Sequence, residues 1–237
     1  MLENAILIGS DEDSIILDFF SGSATTAQAV LNINAKYGSN RKFILVQLPE
    51  MFLENSDGYK MGFKTICDAG EERIKKSIDK CNRFLLEKIE NVGLFSDEMI
   101  QPESLDLGFK VFKLDSSNIK PWDGLKKLDQ VTIFDLDETI KEDRTNLDVA
   151  YEIMLKYGIF NMPLKEVQIN NKTMYNIGEG YMIICLDNDI NSKDVMEIAN
   201  LKPHCVVFKE QGFADDNEKI NATYTLERLG VEDVKCI

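Results

Sequence analysis

Residues 14–30 constrain the fold of this 237-residue chain more than any other stretch. They read Ser-Ile-Ile-Leu-Asp-Phe-Phe-Ser-Gly-Ser-Ala-Thr-Thr-Ala-Gln-Ala-Val. The apolar run over residues 15–20 predicts a buried parallel strand. Ser21, Gly22 and Ser23 predict a tight turn, and residues 25–34 predict a helix opening directly after it. Such an arrangement is a general device, because backbone N–H groups point outward and the helix dipole favours an anionic group. Gly22 lets a ligand approach the backbone closely. The same pattern also serves as an ordinary tight β-α connection.

A turn over residues 37–40 and a second strand over residues 42–48, ended by Pro49, complete a β-α-β unit. Such crossovers are right-handed and build parallel sheets. One long amphipathic helix is expected over residues 59–90, with Ile66, Ile74, Ile78, Phe84, Leu85 and Ile89 as its apolar stripe. Residues 91–101 read as a linker, 109–114 as a strand, and 116–124 as a loop in which Trp122 beside Pro121 is a packing anchor. A second pattern begins near residue 128. It predicts helices over 146–157, 194–200 and 216–229, and strands over 166–169, 173–177, 181–186, 205–208 and 234–237. The fold class is α/β, divided as residues 1–95, an extension over 96–129, and a small C-terminal domain over 130–237.

Charge and composition exclude several function classes. The chain carries 41 acidic against 27 basic residues, a net −14. That argues against the chain as the main grip on DNA, since phosphate contacts need clustered Lys and Arg. Arg73, Lys75, Lys76, Lys80, Arg83 and Lys88 are interleaved with Glu71, Glu72, Asp79 and Glu87, which reads as a solvated helix face in preference to a DNA-facing one. Five cysteines without a Cys-x-x-Cys pair and one histidine predict no metal site and no disulfide framework, but reduced, mostly buried thiols. No apolar run approaches the roughly 18–20 residues of a membrane span, and the start lacks the basic region of a signal peptide, so a cytoplasmic protein is expected.

The stretch Asp18-Phe19-Phe20-Ser21-Gly22-Ser23-Ala24-Thr25-Thr26-Ala27 resembles the Asp-Pro-Phe-x-Gly-Ser-Gly-Thr-Thr block of N6-adenine and N4-cytosine DNA methyltransferases. The form is closest to that of modification subunits of type III restriction–modification systems. Residues 40–50 look like that family's second strand, and residues 59–67 with Glu72-Arg73-Ile74 look like its following helix. Residues 108–115 and Val206-Val207-Phe208 also resemble these subunits. The resemblance implies part of a Rossmann-like, S-adenosylmethionine-dependent methyltransferase sheet, followed by a small C-terminal α/β domain. It assigns the cofactor site to Asp18, Phe20, Ser21, Gly22, Ser23, Ala24, Thr25 and Gln47. Asp18 would accept from the cofactor's amino group, the hydroxyls of Ser23, Thr25 and Thr26 would donate, and Gln47 would lie near the ribose.

Departures from the family pattern carry their own expectations. Ala24 replaces the second glycine, so the turn is expected to avoid a positive φ there. Gln47 stands where the wider family places an acid, and Glu50 is a possible substitute for it. The family's catalytic Asp-Pro-Pro-Tyr block, which holds a flipped base, needs adjacent prolines; the five prolines here are all separate. The resemblance thus implies the C-terminal portion of an adenine-N6 DNA methyltransferase, with no catalytic residue on this chain and no activity by the chain alone. Residues 2–9 would be the tail of the preceding cofactor-contacting helix. The implied partners are double-stranded DNA through a recognition region outside this chain, a second modification subunit, and a restriction subunit; no membrane is implied.

Two rival readings rest on other residues. Residues 131–139 end in Asp135-Leu136-Asp137-Glu138-Thr139, the Asp-x-Asp-x-Thr pattern of haloacid-dehalogenase-type phosphatases. There Asp135 would be the nucleophile, Asp137 the acid/base, and Asp215-Asp216 candidate Mg²⁺ ligands. Against it, the Lys and Ser/Thr such an enzyme needs are not evident. Alternatively the acidic C-terminal domain is a non-catalytic assembly module. The stretch Asp187-Asn188-Asp189-Ile190-Asn191 begins like a calcium loop, but Ser192 and Ile198 occupy its Gly and Glu positions, so it reads as a turn. His204 reads as a core or edge histidine.

Overall fold

The computed structural model describes residues 1–92, 105–120 and 140–237. These fall into two compact units, residues 1–112 and 113–237. The motif over residues 131–139 and the Pro121-Trp122 pair lie outside the described residues.

The first unit opens with helix α1 (Leu2–Gly9), then β1 (Ile15–Asp18), α2 (Thr25–Tyr37) and β2 (Lys42–Leu45). The two strands pair in parallel, Ile16 opposite Phe43 and Asp18 opposite Leu45. Helix α2 is apolar on most of its circumference and is buried accordingly. Ala27, Leu31 and Ala35 pack with Ile74, Cys81 and Leu85, while Ala29, Val30 and Ile33 pack with Ile6, Ile16 and Phe43. Gly38 ends the helix in the left-handed region at φ 71°, and its N–H donates to the Asn34 carbonyl. Asn34 then fixes the descending turn, accepting from Ser39 Oγ at 2.8 Å and from Arg41 N at 3.1 Å.

The single long helix expected over 59–90 is interrupted. A short α3 (Asp57–Lys60) is followed by a break, and α4 (Ile66–Val92) begins anew. Gly62 turns at φ 91°, and Thr65 and Asp68 exchange side-chain-to-backbone bonds as a capping pair for the new helix. The buried stripe of α4 is Ile74, Ser77, Cys81 and Leu85; Phe84 stays exposed, contrary to expectation. Residues 109–114 form no strand. Leu107 and Phe109 tuck onto the core of α2 and α4, and the extended segment finds no partner strand among the described residues.

The second unit holds a five-stranded sheet in the order β3-β4-β5-β6-β7. Helix α5 (Asn146–Lys156) precedes an antiparallel meander of β3 (Leu164–Ile169), β4 (Lys172–Ile177) and β5 (Met182–Cys185). Helix α6 (Ser192–Asn200) crosses to β6 (Cys205–Phe208), and α7 (Asp216–Arg228) crosses to β7 (Asp233–Cys236), giving a parallel half. Alternate residues face opposite layers, as a strand's period of two requires. Met182, Ile184, Cys205 and Val207 meet α5, whereas Ile183, Cys185, Val206 and Phe208 meet α6 and α7. No helix among the described residues is long and apolar enough to cross a membrane.

Candidate functional site

The site builds from the end of β1. Beyond Asp18 the chain leaves the sheet and turns through residues 19–24 into α2, with Ala24 N–H donating to the Ser21 carbonyl at 2.9 Å. Two residues of this turn are left-handed, Gly22 at φ 53° and Ala24 at φ 62°. The value at Ala24 overturns the expectation of a negative φ. A methyl in this region costs about 1 kcal/mol or more, and the surrounding turn imposes it. Gly70 of α4 lies close behind: a Cβ added there would meet the Ala24 methyl at 3.4 Å and the Gly22 carbonyl oxygen at 3.6 Å.

The polar side chains of the loop hold one another. Asp18 accepts from Phe20 N–H at 3.2 Å and from the Thr26 hydroxyl at 2.5 Å. Thr26 is buried, so its hydroxyl is committed to this carboxylate. Gln47, just beyond β2, accepts from Gly22 N–H at 2.8 Å and donates to the Leu48 carbonyl at 3.2 Å. Ser21 is buried, Ser23 and Gly22 half-buried, and Thr25 exposed. Phe20 stands out at 84% exposure, edge-on to Phe19 at 5.6 Å. The eight residues expected to line a cofactor site are therefore gathered about one loop. Glu50 is exposed, and its backbone carbonyl accepts from Ile66 N–H.

The helix N-terminus behind this loop is chemically open. Helices α3, α5, α6 and α7 each carry a side-chain cap, from Ser56, Thr145, Asn191 and Asp215. Helix α2 has Ala24 at that position and no side-chain cap. Its first-turn N–H groups are thus left for another acceptor, and the dipole favours an anionic one. A ligand carboxylate fits that requirement.

The sheet beside the loop is bare on one face. Ile15 and Leu17 of β1 are each 56% exposed, and Ile44, Val46 and Leu48 extend the same apolar surface. Among the described residues β1 pairs with β2 alone, which leaves its other edge open. Parallel sheets are ordinarily covered on both faces.

Residues of the rival readings have structural employment. Asp215 caps α7 by accepting from Glu218 N–H at 2.9 Å, and Asp216 pairs with Lys219 at 3.1 Å. Asp187 accepts from Thr173 N–H at 2.6 Å, and Asn191 caps α6. No group of three or more potential ligands stands together among the described residues. His204 lies just before β6, an interior strand, and is exposed, stacked on Tyr181 and 3.4 Å from Glu232. Cys81, Cys185 and Cys205 are buried thiols, and burial pushes Cys185 up to about 12.

An α/β unit whose first strand ends in a glycine turn and an open helix N-terminus is the class of protein these features define. Comparison with known proteins narrows it: residues 1–58 match the DNA methylase family. Over 80 residues the chain is 41% identical to the Mod subunit of the type III restriction-modification enzyme EcoP15I of Escherichia coli, a stretch covering 34% of this chain and 12% of that subunit. It is 31% identical over 132 residues to the StyLTI Mod subunit of Salmonella typhimurium, covering 56% of this chain and 18% of the relative. It is 38% identical over 78 residues to the type II methyltransferase M.KpnI of Klebsiella pneumoniae, covering 33% and 19%. The chain is thus similar over part of its length to type III modification subunits, and its residues 1–58 match the DNA methylase model. The matched stretches span less than a fifth of each relative's length.

Proposed function

We propose that this chain is the cofactor-binding, C-terminal portion of a site-specific adenine-N6 DNA methyltransferase of a type III restriction–modification system, using S-adenosylmethionine. The observation that carries the reading is the loop over residues 18–26, which joins a family-matching sequence to an uncapped helix N-terminus. In this reading the first turn of α2 holds the methionine carboxylate, and the Gly22 turn lets the ligand approach the backbone. Ser21, Ser23 and Thr25 edge the site, and Phe20 lies against the bound group. S-adenosylmethionine supplies the methyl group. Asp18 and Gln47 hold the loop in shape, Asp18 through Thr26 and Gln47 through Gly22.

The bare face of β1 and β2 supports the second half of the proposal. A strand added at the β1 edge and helices over Ile15, Leu17, Ile44 and Val46 would complete a covered sheet, and the base-binding Asp-Pro-Pro-Tyr block would arrive with them. Residues 130–237 then act as an assembly domain toward a second modification subunit or a restriction subunit. Exposed Ile220 and Tyr224 on one face of α7 suit such a role. The test is methyl transfer from tritiated S-adenosylmethionine to DNA. The chain alone is expected to transfer none, and transfer by the chain alone would overturn the reading.

A further inference from the structure

A cleft of about 420 Å³ opens beside the loop, bordered by Ser23, Met61, Phe63, Arg73, Lys76 and Lys80. It was not apparent from charge spacing alone, where the basic residues of α4 read as one mixed face. The fold separates them. Arg73, Lys76 and Lys80 share the side of α4 that lines the cleft, whereas Lys75 and Arg83 do not line it. Glu72 is the one acid among the described residues lining it. Its bond to Lys76, at 3.4 Å, is a solvent-exposed ion pair, of a kind worth little and readily exchanged for a stronger anion. Arg73 is held on the wall by its 3.2 Å bond to Gln28 of α2.

We propose that this cleft is a phosphodiester site that seats the backbone of a DNA strand. The inference rests on the methyltransferase reading for the identity of the polyanion. Positions 73, 76 and 80 run along roughly 10 Å of helix. A DNA strand presents one charge about every 3.4 Å of helix axis, so the row spans about three phosphates. Met61 and Phe63 provide an apolar floor against which sugars can rest. Screening confines each charge to about 8–10 Å at physiological salt, so a local cationic row acts despite the chain's net −14. Ser23 belongs both to the cleft and to the loop, so a strand seated here runs past the cofactor site.

The experiment is fluorescence anisotropy of a labelled duplex with the whole chain, titrated between about 50 and 200 mM NaCl. The Lys76→Gln/Lys80→Gln variant is compared with Lys75→Gln/Arg83→Gln, which removes equal charge from the same helix outside the cleft. All four side chains are exposed, so both variants retain the fold. The cleft variant is expected to lower the slope of log affinity against log salt by about 2, and the control by less than about 0.5. Absence of duplex binding by the parent chain, an unchanged slope in the cleft variant, or an equal fall in both variants would overturn the proposal. S-adenosylmethionine binding is measured on the same samples. Cofactor binding with an unchanged slope removes the cleft alone, and a lowered slope without cofactor binding removes the methyltransferase reading alone.

Discussion

Gln47 reaches back across twenty-five positions in sequence to accept a 2.8 Å hydrogen bond from the Gly22 backbone N–H. Its amide also donates to the Leu48 carbonyl, which a carboxylate could not do. The side chain therefore couples the end of β2 to the turn after β1. Gln47→Ala leaves the Gly22 N–H without that acceptor and is expected to lower unfolding free energy by about 1 kcal/mol. Urea denaturation of the two proteins measures the difference.

The hydroxyl of Thr26 has a charged acceptor in Asp18 and is shielded from water. Hydrogen bonds to charged groups are the stronger class, so Thr26→Val is expected to destabilise by roughly 2 kcal/mol. Thr25→Val, one residue earlier and exposed, changes stability by less than about 0.5 kcal/mol. Equal effects at the two positions would show that Thr26 does not hold Asp18.

Ala24 sits at φ 62° with its methyl buried, so two terms oppose each other on substitution. Ala24→Gly removes about 1 kcal/mol of backbone strain. It also loses a buried methyl worth about 0.8 kcal/mol and loosens the unfolded chain by about 0.4–1 kcal/mol. The net change is small, a loss of under about 1 kcal/mol. Ala24→Val places a β-branched residue in the left-handed region and is expected to destabilise by about 2 kcal/mol or more. Thermal unfolding followed by circular dichroism distinguishes the two.

Glu152 on α5 provides a pH test within the second unit. Burial alone would raise its pKa. Hydrogen bonds from Lys156, Ser117 Oγ and the backbone and side chain of Asn118 outweigh that and hold it at about 2. Because the folded value lies below the ordinary 4.5, the stabilisation is present above about pH 4.5 and is lost as pH falls toward 2. It amounts to roughly 3 kcal/mol at most. Glu152→Gln is expected to be less stable at pH 7, with the gap from the parent protein closing on acidification. Urea midpoints at several pH values between 7 and 2.5 read this out, and a gap independent of pH would contradict it.

The sequence made β1, α2 and β2 legible because each has the period and punctuation of its type. It placed all five strands of the second unit within a few residues. There the Asn170-Asn171 pair, at φ 50° and 65°, makes the tight β3–β4 turn that asparagine tolerates. Boundaries moved where side chains intervene, as at Asp18, whose bond to Phe20 N–H accompanies the turn out of β1. The break between α3 and α4 was present as Gly62 followed by a Thr-x-x-Asp capping pair, and the apolar stripe begins only after it, at Ile66. The segment 109–114 alternates like a strand, yet it pairs with no strand among the described residues. The left-handed backbone at Ala24 was beyond local rules, because the turn and the packing of Gly70 decide it. The cationic side of α4 was hidden for a similar reason, since only the position of Ser23 and Phe63 shows which lysines converge.

In the proposed function the loop over residues 18–26 receives S-adenosylmethionine. The most direct measurement is a ¹H–¹⁵N correlation spectrum of the chain titrated with the cofactor. The claim predicts saturable shifts at the amides of Gly22, Ser23, Thr25 and Thr26 and at the Gln47 side-chain amide, with an affinity of about millimolar or tighter. Absence of shifts in this loop at about ten times that concentration, or shifts confined to residues 113–237, would contradict it.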